Sequence, residues 1–233
     1  MRSMPDFLTV PDLSRVPGLF HGFGTRDFSE ADLRAAAAEN GAEPVLLHQV
    51  HSARIIVLDR APASLLDADG TATRRPGLAL VVKTADCLPL FLVDPEHAAI
   101  AAVHAGWRGT AHRIAAEAVA VMARSFGTKP AALLAALGPC MGGACYEVGE
   151  DVASSFHRDP AFASLFAALP ARPGKYLFEL RAANRAQLEA AGLPPGGILE
   201  AGGCTHCDPA LLSFRRDRRS DLRLFNFIGF RLS

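Results

Sequence analysis

Three apolar runs decide the fold: Leu78-Ala-Leu-Val-Val82, Leu88-Pro-Leu-Phe-Leu-Val93 and Ala98-Ala-Ile-Ala-Ala-Val103 follow one another with only short polar breaks. Unbroken apolar runs of this length are expected of strands buried on both faces, since polar alternation is needed only where one face meets water. Upstream, Ser29 with Asp32 reads as a capping box that opens an Ala-rich helix to Asn40, stopped by Gly41. The segments 44–47 and 54–58 read as strands flanking His48-Gln-Val-His51, and a polar loop covers 59–76. Downstream, Thr110 is expected to cap a helix over 111–125, with Gly127 after its end. A strand over 133–137 then enters a Gly-rich turn, Gly138 to Cys145. Helices are expected over 149–157 and 181–191, and strands over 198–200, 211–215 and 222–230. The pattern predicts an α/β fold of the mixed α+β kind: a single domain over 1–233, with a mixed β-sheet flanked by helices.

Composition narrows the function. The 233 residues carry 24 Lys+Arg against 24 Asp+Glu, and half are apolar. Such apolar content excludes a disordered chain. A neutral balance argues against nucleic acid as a partner, because phosphate backbones call for a basic face. The one basic cluster is Arg215, Arg216, Arg218 and Arg219. No apolar stretch approaches the roughly 18 residues of a spanning helix, and Asp6 and Asp12 spoil a signal peptide, so no membrane partner is expected. Five cysteines in a chain of this length point to a reducing cytoplasm, with thiols or metal ligands rather than a disulfide framework.

Three polar groups stand at the ends of apolar runs: His51, Cys87 in Thr84-Ala-Asp-Cys-Leu-Pro, and His104 in Val103-His-Ala-Gly-Trp-Arg-Gly109. Their spacing is wrong for a zinc finger, whose ligands come in close pairs. Ligands spread over separate strands suit a catalytic zinc with an open position. Cys87 fits equally as a nucleophile whose thiolate is stabilised by His104, since both roles need a thiolate beside imidazole. Cys204-Thr-His-Cys207 and Cys140 to Cys145 would form a four-thiolate zinc site only if the pairs meet; free thiols are the simpler expectation. Gly138 to Gly143 reads as a tight turn, with an anion-binding nest as the competing reading. Arg26 and Arg108 are candidate anion binders by charge, against plain surface ion pairs. Asp67-Ala-Asp69 reads as a turn, or as a holder of a sugar hydroxyl.

In order along the chain, Gln49-Val-His51, Asp67-Ala-Asp69, Thr84-Ala-Asp-Cys-Leu-Pro-Leu90, Ala101-Ala-Val-His-Ala-Gly-Trp-Arg-Gly109, Gly138-Pro, Cys145-Tyr-Glu-Val-Gly149 and Ser213-Phe-Arg-Arg-Asp217 resemble the laccase-domain (YfiH-like) family. That family was formerly called polyphenol oxidase and is now assigned as purine nucleoside phosphorylase. The resemblance implies that His51, Cys87 and His104 are zinc ligands. It also implies a monomeric enzyme that cleaves adenosine, inosine and methylthioadenosine with phosphate and deaminates adenosine. Cys87, His104 and Arg108 are the expected catalytic residues, with Arg26 on the phosphate. The sequence departs from the family pattern at Asp27-Phe-Ser, where relatives have a Gly-rich loop, and after Asp217, where a Gly-x-x-Gly-Arg turn is missing.

Copper is the less favoured metal. The trio mimics a blue-copper donor set, but laccase chemistry calls for further coppers with many more His ligands, and this chain has eight His and no His-x-His pair. A Cys87–His104 amidase acting on cell-wall peptide precursors, and a non-catalytic binding module in which zinc ties strands together, complete the alternatives.

Overall fold

The computed structural model describes residues 7–156 and 160–232. The three apolar runs form the strands Leu78–Thr84, Leu88–Asp94 and Ala99–Ala105. The first lies in a five-stranded sheet and the other two in a six-stranded sheet, with separate three- and two-stranded sheets beside them. The expected mixed sheet is therefore divided in two.

Side-chain alternation explains the division. Leu80 and Val82 pack with Phe91, Val93, Ile100 and Ala102 in a layer between the two larger sheets. Ala79 and Val81 point the other way, onto Leu33, Ala36 and Ala37 of the helix Glu30–Glu39. On the far side, Leu90, Leu92, Ala101 and Val103 meet Ala115, Ala118 and Met122 of the helix Ile114–Phe126 and Leu188 of the helix Leu180–Ala190. The layers run helix, sheet, sheet, helices, so the central strands bury both faces and read as unbroken apolar runs. Phe23 and Phe91, one from each sheet, stack at 4.6 Å and are fully buried. Burying a side chain of this size contributes roughly 1.5–3 kcal/mol.

The capping box at Ser29 forms as expected, with the Asp32 amide bonded to the Ser29 side chain and the Asp32 carboxylate to the Ser29 amide. Gly127 ends its helix in the left-handed region at φ +75°. Three local expectations are corrected. The polar loop expected over 59–76 contains the buried strand Gly70–Thr73, held between two neighbouring strands. The helix expected over 111–125 is two helices, Trp107–Ala111 and Ile114–Phe126, broken at Arg113 with φ +61°. Thr110 is not a cap; its hydroxyl donates to the Gly106 carbonyl inside the first helix. The strand expected over 211–215 gives way to a short helix, Phe214–Asp217, because the Ser213 hydroxyl captures the Arg216 amide. The helix expected over 149–157 spans Glu150–Ser154; the far end of that expectation lies outside the described residues.

Candidate metal centre

Antiparallel register assembles the centre. Ala105 pairs with Leu88, so one step further along the ladder Cys87 stands across from Gly106, with His104 beside it. On the other edge of the same strand Val103 pairs with Gly70, which sets Asp69 across from His104; the His104 amide donates to the Asp69 carbonyl at 2.7 Å. The strand Ile55–Val57 pairs in parallel with Gly70–Thr73 and carries the preceding loop, with His51, to the same end of the sheet. Residues 51, 69, 87 and 104 therefore meet although the chain separates them by up to 53 positions. The ligand atoms of His51, Cys87 and His104 all lie within 4.8 Å of one another, and the two imidazoles meet edge to face at 4.9 Å between centroids.

Asp69 organises the trio. Its fully buried carboxylate accepts the Val50, His51 and Ser52 amides, the Ser52 hydroxyl and His104 Nδ1, the last at 2.8 Å. Burial alone would raise this carboxyl, but the His104 and Ser52 hydrogen bonds outweigh it and bring it down to about 2. The amide contacts hold His51 at φ +60°, a conformation that costs a non-glycine residue of order 1–3 kcal/mol and collects at functional sites. Asp86, just before Cys87, stands at φ +86°. It is fixed by the Thr205 hydroxyl and the Arg215 amide on its carboxylate and by the Met141 amide on its carbonyl. Residues on both sides of the donor set are thus held against their backbone preference.

Electrostatics makes Cys87 a thiolate. Burial pushes the thiol up, but His104 and then His51 beside it outweigh that and bring it well below its ordinary value. His104 is lowered by burial and raised further by Cys87 and Asp69, so its net shift is upward. A thiolate and two imidazoles, one oriented by a carboxylate through its other nitrogen, form a donor set suited to zinc. Room for an ion is part of the design: a Cβ on Gly106 would stand 3.0 Å from Cys87 Sγ and 3.1 Å from His51 Cδ2. The trio lines a cleft of about 890 Å³ together with Lys83, Tyr146, Phe214, Arg215 and Phe225. Among the described residues the Lys83 ammonium has no hydrogen bond or ion pair, so it offers a free positive charge.

Other sequence candidates fare differently. Arg26 lines the same cleft, but its guanidinium ties the C-terminal segment through the Pro209 and Leu211 carbonyls and Asp217. Arg108 is placed away from the trio, contrary to expectation. It lies over the Trp107 ring and lines a second cleft with His112 and Phe156, because the helix that follows His104 turns it aside. The nest reading of Gly138 to Gly143 fails: the Gly138, Met141 and Gly142 amides go to Pro89, Asp86 and Cys204. Asp69 is neither turn nor sugar ligand. Neither its role nor those of Ser52, Gly106 and Lys83 is signalled in one sequence, because each acts through a partner brought in by register. Of the four outlying thiols, Cys140 is buried and pushed up to about 11 by that burial, while Cys145 and Cys207 touch at 3.3 Å. Among the described residues, no helix is long and apolar enough to cross a membrane.

Residues 28–231 match the family described as multi-copper polyphenol oxidoreductase laccase. The chain belongs to this family. Its laccase-domain relatives include a protein of Deinococcus radiodurans named purine nucleoside phosphorylase, 38% identical over 86% of this chain and 76% of its own length. Another, from an unknown prokaryotic organism and named adenosine deaminase RL5, is 38% identical over 70% of this chain and 66% of its own. The crystal structure of the Bacillus licheniformis hypothetical protein YfiH superposes with a TM-score of 0.87 at 30% identity, covering 97% of each chain. The laccase-domain fold expected from the motifs is therefore the fold observed, and the names of the relatives support an enzyme acting on purine nucleosides.

Proposed function

We propose that this laccase-domain protein is a zinc-dependent purine nucleoside phosphorylase acting on adenosine, inosine and methylthioadenosine, with adenosine deaminase activity. The proposal takes residues 1–233 as one domain working as a monomer. Five free thiols suit the reducing cytoplasm. The observation that carries the reading is the convergence of His51, Cys87 and His104 on the wall of a nucleoside-sized cleft, with Asp69 behind them. These three residues would hold the zinc, which would supply Lewis acidity toward a substrate oxygen or water. Phe214 and Phe225 offer apolar faces to the flat base, as aromatic rings do for bases elsewhere. Lys83 binds the phosphate. In phosphorolysis a phosphate oxygen forms a bond to the anomeric carbon while the glycosidic bond breaks, and its electron pair leaves with the base. Positive charge builds on the sugar meanwhile, which an anion held by Lys83 would stabilise.

The test supplies purified protein with adenosine or inosine, with and without phosphate, and separates the products by chromatography. Free base with ribose 1-phosphate that appears only with phosphate is the expected outcome, as is inosine from adenosine without it. Cys87→Ala should lose most of its metal and turnover and keep its circular dichroism. Absence of product from folded, zinc-loaded protein sinks the reading. A second reading has one observation of its own: Cys87, His104 and Asp69 also form a nucleophile, base and orienting carboxylate. Full activity after chelation, with an acyl group on Cys87, would establish that hydrolase instead.

A further inference from the structure

A second group of soft donors lies outside the cleft. The loop 138–146 contributes Cys145, and the loop 201–213 contributes Cys204, His206 and Cys207. Cys145 Sγ stands 3.3 Å from Cys207 Sγ, and a ring nitrogen of His206 lies within 4.8 Å of both sulfurs. Cys204 neighbours these thiols but stands outside the set of three. A turn closes the Cys204–Cys207 segment, with the Cys207 and Asp208 amides bonded to the Cys204 carbonyl at 3.2 and 3.0 Å. From the other loop, the Gly142 amide donates to the Cys204 sulfur at 3.1 Å. Gly142 permits this approach, since a Cβ there would come within 3.2 Å of Cys204 Cβ.

We propose that Cys145, His206 and Cys207, joined by the neighbouring Cys204 as fourth donor once an ion draws it in, form a second, structural site for a soft divalent cation of the zinc type. A disulfide would need two sulfurs. Here an imidazole is brought to the pair, and a third thiol stands beside them on a backbone N–H donor, so that closure of Cys204 onto an ion would complete a four-ligand set. On binding, each thiol releases its proton to solvent and the sulfur lone pair goes to the metal. Cys140 is buried and outside the clustered donors, so the site is three thiolates and an imidazole rather than the four thiolates that cysteine spacing alone would give. The ion would clamp two loops that give Met141, Tyr146 and Leu212 to the cleft wall and lead into the helix Phe214–Asp217. The role is therefore to fix that wall, independently of what the cleft binds.

The experiment uses the full chain carrying His51→Ala and Cys87→Ala, which removes two of the three donors of the first site, its thiolate among them. The expected result is about one zinc per chain by elemental mass spectrometry after dialysis, as a closed site retains its ion. Replacing that zinc with cobalt(II) should give a sulfur-to-cobalt charge-transfer band, which in this variant can arise only from the second cluster. Adding Cys204→Ser should abolish the band. A variant free of zinc that gives no cobalt band overturns the proposal, as does a Cys145–Cys207 disulfide found in protein purified under reducing conditions. Where the double variant fails to fold, native protein decides: two zinc ions per chain, with Cys145 and Cys207 shielded from alkylation until a chelator is added, support the site, and one zinc with both thiols reactive refutes it.

Discussion

Asp69→Asn is the sharpest probe of how the metal centre is held. The substitution preserves shape but converts one carboxylate oxygen into an NH2 donor. In the native protein Oδ2 accepts the Val50 amide at 3.3 Å, the Ser52 amide at 2.5 Å and the Ser52 hydroxyl at 2.8 Å, while Oδ1 accepts the His51 amide at 3.0 Å and His104 Nδ1 at 2.8 Å. Whichever way the amide turns, its NH2 faces at least two N–H donors, and the ion pair with His104 is gone. Breaking a buried charge pair by removing one partner costs about 3–5 kcal/mol. For a chain of this size that lowers Tm by on the order of 10 °C. Loss of the group that orients a metal-bound histidine should weaken metal binding by about 10–100-fold. The two readouts separate cleanly: scanning calorimetry on metal-free protein reports the loop anchor, and a competitive zinc titration at 25 °C reports the orientation of His104. A variant with unchanged Tm and zinc affinity within about twofold of native would refute the argument that Asp69 holds both the His51 loop and the His104 ring.

Two further predictions follow from the same structure. Gly106→Ala puts a methyl group 3.0 Å from Cys87 Sγ and 3.1 Å from His51 Cδ2; zinc content should fall while the circular dichroism spectrum is retained, and undiminished metal content would show that the space is not needed. His21 accepts the Val10 amide at 2.9 Å and is lowered by burial to about 4. Between pH 6.5 and pH 4 the unfolded chain therefore binds a proton that the folded protein excludes, so stability falls as pH falls through this window, by up to about 1.4 kcal/mol per pH unit. In His21→Gln, which keeps an acceptor but does not titrate, the plot of Tm against pH should flatten; an identical slope in both proteins would remove His21 as the cause.

The reading of local structure succeeded where the physics is local. The Ser29–Asp32 box, Gly127 in the left-handed region and the apolar runs over 78–103 each depend on neighbours a few positions away, and each appears where the residues place it. It failed at Arg113, whose left-handed conformation splits the expected helix, and at 211–215, where long-range contacts choose the conformation. Arg216, for example, spends its guanidinium on the Thr205, His206, Asp208 and Leu211 carbonyls and on Asp217, which folds a segment that looks extended into a helical turn.

The donor atoms divide the same way. His51, Cys87 and His104 could be picked out from the sequence because polar residues at the ends of buried runs stand out against their surroundings, and because the motifs around them are those of the laccase-domain family. Their meeting could not, since it is set by the ladders that pair Ala105 with Leu88 and Val103 with Gly70. Asp69 looked like part of a turn because nothing in a sequence reveals that a carboxylate will be sealed from water beneath five donors; only the packed sheet removes the solvent that would otherwise satisfy it. Arg108 looked catalytic for the opposite reason: it lies four residues after His104, but the helix turn between them rotates its side chain to another face. Chemical identity and local periodicity are properties of the chain, whereas proximity and dehydration arise only when distant segments close on one another.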